Sequence, residues 1–189
     1  ALMARASLLV LGCWLGGAQA LTDGSASFYT SMGANAASNA TAKITRLVTA
    51  AAKTGAVCLD GSVAAYYHRP GVGSGADKWY IHHEGGGWCE SLNDCLARSL
   101  GPLGSTINNT DEMELAGAYF DPRPLVNPMM WNWNMVFMVY CDGGSFSGNN
   151  DTVTNHLGRS LHFRGKRNLE ATYASLLASK SLGSATDVV

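Results

Sequence analysis

Charge is what this sequence has least of. Only 14% of its 189 residues are charged, and 13 Lys and Arg stand against 14 Asp and Glu, a formal balance of −1. With no excess of either sign there is no electrostatic footprint for nucleic acid or an anionic membrane, so both are excluded as partners reached through bulk charge. Neither G-x-G-x-x-G nor a Walker Lys-Ser/Thr occurs, which removes the common phosphate-cradling loops. After residue 20 no stretch is apolar for long enough to span a bilayer. The nucleophile elbow G-x-S-x-G is absent from the whole sequence as well. What is plentiful is apolar material: 47% of the residues are hydrophobic, enough for the core of one domain.

The first twenty residues read as a secretory signal. Arg5 supplies the positive n-region, Leu8 to Leu15 a short apolar core, and Ala18-Gln19-Ala20 an A-x-A cleavage pattern. A secreted chain oxidises its cysteines. Cleavage removes Cys13 and leaves Cys58, Cys89, Cys95 and Cys141, for which two disulfides have three possible connectivities. Cys89 and Cys95 are close enough to close a small loop, and Cys58 would then pair with Cys141. Chain entropy assigns roughly 2 kcal/mol to such a short loop and about 4–5 to the long one. The sequons at Asn39, Asn108 and Asn150 are the expected glycosylation sites and agree with export.

Residues 21–42 are rich in Ala, Ser, Gly, Asn and Thr without an apolar face, and read as a leader before a domain over 43–189. Ile44, Leu47, Val48 and Ala51 fall at helical spacing. Val57-Cys58-Leu59, Asp60-Gly61 and Val63 to Tyr67 predict a hairpin. Lys78 to His82 predicts a strand, and Phe120 to Pro128 holds three prolines and must be irregular. Met135 to Tyr140 is an unbroken apolar run, the pattern of a strand buried on both faces of a parallel sheet. A helix from about Gly165 to Ser181, with Leu169, Tyr173, Leu176 and Leu177 on one face, leads into a strand at Thr186 to Val189. The class is α/β, with a mostly parallel sheet and flanking helices.

Two Gly-rich stretches follow predicted strands. In Ile81-His82-His83-Glu84-Gly85-Gly86-Gly87-Trp88-Cys89, glycine frees the backbone to curl its N–H groups around a charge, as an oxyanion loop requires. A bare Gly triplet is also what a flexible or close-packing turn uses. Zinc ligation by His82, His83, Cys89 and Cys95 is disfavoured by oxidation of the cysteines and by the wide Cys89-x5-Cys95 spacing. Alternation along the strand sends His82 and His83 to opposite faces. In Asp142-Gly143-Gly144-Ser145-Phe146-Ser147-Gly148, Ser145 lies past the buried strand, where α/β folds place ligand loops. Phe146 and Ser147 break the elbow frame, so Ser145 reads as a turn or pocket-wall residue. Trp131-Asn132-Trp133-Asn134 reads as a packing anchor.

These stretches, with Ala56 to Ser62, Tyr140-Cys141-Asp142-Gly143 and Leu161-His162-Phe163-Arg164-Gly165, resemble the pectin acetylesterase family, which also contains the Notum-type carboxylesterases. Order and spacing agree from about Ala56 to Val189. The resemblance implies an α/β-hydrolase-like fold, a Ser-His-Asp triad and no metal or other cofactor. The implied activity is removal of acetyl esters from cell-wall pectin or, in the Notum branch, of an acyl group from a signalling protein. Intact Glu-Gly-Gly-Gly-Trp-Cys and Cys-Asp-Gly motifs are closer to the pectin branch. The resemblance makes Gly86 and Gly87 the oxyanion donors, sets Trp88 beside the acyl pocket, and implies the same two disulfides. It also implies that the nucleophile elbow follows the strand beginning near Asp187-Val188-Val189. The 189 residues are thus expected to be the N-terminal part of a domain, inactive alone and monomeric when complete; the alternative is a catalytically dead carbohydrate-binding homologue.

Overall fold

The computed structural model describes residues 40–189; the signal segment, most of the leader and Asn39 lie outside the described residues. In chain order the elements are β1 (Thr41–Arg46), α1 (Val48–Thr54), β2 (Ala65–Arg69), β3 (Lys78–His83), α2 (Leu92–Arg98), β4 (Glu112–Glu114), β5 (Asn134–Met138), β6 (Thr154–His156), β7 (Arg159–Leu161), α3 (Gly165–Ser179) and β8 (Asp187–Val188). Six strands form one sheet in the order β4-β1-β2-β5-β3-β8, and β6 and β7 make a separate hairpin.

The sheet is mixed rather than mostly parallel. On one side of β5 the pairings β5–β2, β2–β1 and β1–β4 are antiparallel; on the other, β5–β3 and β3–β8 are parallel. The apolar run in β5 marks burial on both faces, and burial does not report strand direction. Val136 and Met138 join Tyr66, Trp79 and Ile81 in a core under α3, where Leu176 is fully buried. Met135 turns the other way, to Tyr67, Leu115 and Phe120. This second face is covered by the irregular segment 115–133, which Arg69 ties down. That guanidinium, 1% exposed, donates 2.8 Å to the Phe120 carbonyl. Burial lowers its pKa to about 10 and nearby Asp121 offsets part of the fall.

Three local expectations change. Thr41 to Arg46, spanning the end of the stretch read as leader, is a strand flanked by β2 and β4, and the helix starts only at Val48. Ile44 and Leu47 pack on opposite sides of the sheet, so their helical spacing straddles a boundary. The Asp-Gly turn forms, with Gly61 at φ 88°, but its hairpin is a single Val57–Val63 bridge and β2 begins at Ala65. On α3 the buried stripe is Gly165, Asn168, Thr172 and Leu176, whereas Leu177 is 56% exposed. The two polar members bond to backbone: Asn168 donates to the Val57 carbonyl at 3.0 Å and Thr172 to that of Asn168 at 2.9 Å, while Asn168 Oδ1 has no partner among the described residues.

Asn132 and Asn134 staple the segment before β3. Asn134 accepts from the Gly71 N–H and donates to the Ala76 and Lys78 carbonyls, and Asn132 donates to Val72.

Two disulfides join Cys58 to Cys141 and Cys89 to Cys95, with sequence separations of 83 and 6. The long bridge fastens the 57–63 turn to the end of β5, where Leu59 also donates to the Cys141 carbonyl. Replacing both Cys58 and Cys141 by alanine is expected to cost about 4–5 kcal/mol, against about 2 for the Cys89–Cys95 pair, in chemical denaturation. Equal losses would contradict the loop-entropy origin of the difference.

Candidate active site

Parallel pairing of β3 with β5 ends at His83 beside Met138, so both strands release their loops at one edge of the sheet. That carboxyl edge is where α/β sheets place ligands. The ladder continues briefly past the strands. Glu84 donates its N–H to the Met138 carbonyl at 3.2 Å, and its carboxylate accepts the Tyr140 N–H at 2.9 Å. Burial pushes the Glu84 carboxyl above the ordinary glutamate range, and the Tyr140 N–H offsets part of that rise.

Beyond Glu84 the two loops are cross-braced. Cys89 donates to the Gly143 carbonyl at 3.0 Å, and the Trp88 indole N–H donates to Ser145 Oγ at 2.5 Å. Tyr140 Oη donates to the Gly87 carbonyl at 2.6 Å while accepting the Ser145 N–H at 3.2 Å. From α2, both terminal nitrogens of Arg98 reach the Gly86 carbonyl, each at 3.1 Å, with the guanidinium 6.0 Å from the centre of the Tyr140 ring. Crowding accounts for Gly86, and backbone conformation for Gly87. A Cβ on Gly86 would come within 2.8 Å of Leu103 and 3.2 Å of Tyr140, and Gly87 has φ 70°.

The carbonyls of Gly86 and Gly87 are therefore occupied, whereas among the described residues nothing accepts the N–H groups of Gly85, Gly86, Gly87 or Trp88. All four residues are exposed. No peptide bond among the described residues is cis, so each N–H points away from the carbonyl of its own peptide unit. The Gly87 and Trp88 N–H groups thus face away from Arg98 and Tyr140. The left-handed backbone at Gly87 is of the kind that turns neighbouring N–H groups into an anion-binding concavity.

The second loop is held by Asp142, 1% exposed, whose carboxylate accepts from Gly144 at 3.2 Å and Phe146 at 3.1 Å. Burial raises its pKa, and these backbone donors pull against the rise. They also hold Ser145 and Phe146 in left-handed backbone, φ 51° and 60°, which is costly for residues with a Cβ. Ser145 is exposed at the rim, and its hydroxyl receives the Trp88 indole.

His82 stacks on Phe137 and meets the edge of Phe120, while His83 meets Phe146 and Tyr173 on the opposite face. Burial lowers both pKa values, with the neighbouring His82 adding to the effect on His83, which favours neutral imidazoles. Among the described residues all four cysteines are in disulfides, and no group of three or more His, Cys, Asp or Glu is placed to hold a metal. A cavity of about 590 Å³ between α1 and α3 shares no residue with either loop. A smaller one of about 290 Å³, lined by Asp94, Arg98, Gly101, Pro102 and Leu103, backs directly onto the Arg98 contact.

The sequence singles out the glycines, Trp88 and Ser145, which the structure brings together, and carries no role for Arg98, Tyr140 or the Glu84 carboxyl. A signal for Arg98 does exist: it lies one helical turn after Cys95, whose disulfide returns to the glycine loop.

The pectinacetylesterase family pattern matches residues 35–189. Pectin acetylesterase 5 of Arabidopsis thaliana is 41% identical over 133 residues, 70% of this chain and 31% of that protein. Palmitoleoyl-protein carboxylesterase NOTUM of Schmidtea mediterranea is 32% identical over 121 residues, 63% of this chain and 22% of that protein. Among solved structures, the Wnt deacylase Notum from Drosophila superposes with TM-score 0.67 and 28% identity, covering 78% of this chain and 41% of that one. The fold is thus α/β-hydrolase-like, and the chain spans about a third of the length of the plant proteins it matches.

Glu84 allows a pH test of this site. A carboxyl whose pKa is raised by folding contributes stability that is full below the unfolded pKa and is lost as pH rises through the folded one. Glu84→Gln keeps an oxygen for the Tyr140 N–H and cannot ionise. The Tm of the variant minus that of the wild type should therefore become more positive as pH climbs from the ordinary glutamate value toward neutrality. A difference independent of pH would show that the Glu84 carboxyl is unperturbed.

Proposed function

Because the chain belongs to the pectinacetylesterase family, we propose that it supplies the oxyanion-binding side of a secreted carboxylic ester hydrolase that releases acetyl groups from cell-wall pectin. The observation that carries this reading is the row of unengaged N–H groups on Gly86, Gly87 and Trp88, two of whose peptide units are anchored by their carbonyls. Attack on an acetyl carbonyl puts negative charge on its oxygen, and fixed backbone donors stabilise that charge without reorganising. The attacking group would be a serine activated by histidine and aspartate, none of which is assigned to a residue of this chain. Trp88 and Ser145, joined through the indole, would wall the acyl group and meet the acetylated polysaccharide. No metal or other cofactor takes part.

Export is supported by the signal pattern in the first twenty residues and by two disulfides, which belong to oxidising compartments. Among the described residues no helix is long and apolar enough to cross a membrane. Asn108 and Asn150 are exposed, as glycan acceptors must be, and Asn39 lies outside the described residues. Deacylation of a protein is the second reading, drawn from the Notum likeness. The identities, 41% to the plant acetylesterase against 32% to NOTUM, favour the acetyl ester.

The test is hydrolysis by the whole protein that carries this chain, with acetylated pectin, 4-nitrophenyl acetate and a long-chain acyl ester offered in parallel. Acetyl esters are expected to be preferred, with loss of activity on treatment with a serine-directed phosphonate. Gly87→Ala should lower kcat by about 10²–10³-fold with little change in KM, since a Cβ at φ 70° displaces the donors. Preference for the long-chain ester would replace the pectin reading with the protein-deacylase one. Phosphonate-insensitive activity would sink the serine mechanism.

A further inference from the structure

Each peptide unit couples its two ends. A carbonyl that accepts a strong hydrogen bond is fixed in direction and polarised, so the N–H of the same unit is fixed in the opposite direction and becomes a better donor. In the glycine loop two consecutive units are held this way. The Gly86 carbonyl, which shares its unit with the Gly87 N–H, receives both terminal nitrogens of Arg98 at 3.1 Å. The Gly87 carbonyl, which shares its unit with the Trp88 N–H, receives Tyr140 Oη at 2.6 Å.

We propose that Arg98 and Tyr140 are positioning residues that aim and polarise the Gly87 and Trp88 N–H groups; the catalytic part of this rests on the esterase reading above. The Arg98 contact is charge-assisted, and the planar fork sets two donors on one oxygen, which an ammonium cannot reproduce with the same geometry. Its positive charge lies behind the donors, on the side away from the proposed oxyanion. Tyr140 is 1% exposed, anchored in the core under α3, and its hydroxyl is fully used: it accepts from Ser145 and donates to Gly87. One phenol thereby fixes the register of both loops. Arg98 in turn is delivered by α2, whose position depends on the Cys89–Cys95 bridge at its first turn and on the Ser91 cap, which accepts the Asp94 N–H. Neither residue touches the place where substrate would react, so both act through backbone.

The experiment has two readouts on the same variants, Arg98→Gln, Arg98→Lys and Tyr140→Phe. In the intact chain, the carbonyl carbon of Gly86 and amide nitrogen of Gly87 should shift in both Arg98 variants. The carbonyl carbon of Gly87 and amide nitrogen of Trp88 should shift in Tyr140→Phe. In the whole enzyme, Arg98→Gln and Tyr140→Phe should lower kcat for 4-nitrophenyl acetate about 10- to 100-fold, short of the loss from deleting a donor. KM should stay within about twofold, and Arg98→Lys should recover part of the loss; a purely structural role predicts neither the split nor the recovery. Resonances that do not move overturn the clamp. Resonances that move while kcat does not overturn its positioning role. A wild-type enzyme without esterase activity overturns the esterase reading instead, and the resonances still decide whether the clamp exists.

Discussion

The structure depends on one pairing, the parallel ladder between β3 and β5. Its register, His83 against Met138, fixes where the chain leaves both strands and so which residues of the two loops can meet. A slip of one residue would exchange the faces of His82 and His83 and carry Glu84 away from the Tyr140 N–H it accepts. β5 is also the strand where the sheet changes character, antiparallel to β2 and parallel to β3. The antiparallel half buries the leading part of the domain, and the parallel half presents the loop edge.

At that edge the chain treats its backbone groups unequally. Carbonyls of the glycine loop are tied to Arg98 and Tyr140, whereas the adjoining N–H groups face outward without a partner among the described residues. Two carboxyls, half-buried Glu84 and fully buried Asp142, serve as backbone acceptors at the ends of β3 and β5, and desolvation raises the pKa of both. Burying charge to hold backbone is an expensive way to shape a turn. Here it accompanies left-handed conformations at Ser145 and Phe146 that such anchoring sustains. Unpaired donors, strained backbone and desolvated carboxyls within one loop pair are what the proposed oxyanion site calls for.

Much of the fold was readable where a residue pattern has one physical meaning. The apolar run into β5, the strand before the glycines and the 165–179 helix all form near their expected bounds. Elsewhere one residue pattern fits two structures. Ile44, Leu47 and Val48 have helical spacing, yet partner strands on both sides make Ile44 part of β1. Asn168 and Thr172 replace Leu177 on the buried face of α3, where backbone oxygens accept their side-chain donors, which spacing alone does not reveal.

The sequence by itself determined the α/β class, the neighbourhood of the glycine triplet and the requirement for bare backbone there. These follow from local chemistry: hydrophobic period, the conformational freedom of glycine and the spacing of four cysteines. Only the tertiary structure decided which peptide groups are spoken for and which are open. Arg98 and Tyr140 are 12 and 53 residues away from the carbonyls they hold. The position of Arg98 one turn after Cys95 hints at its contact, but no local pattern records that of Tyr140, which arises from the parallel register of two strands.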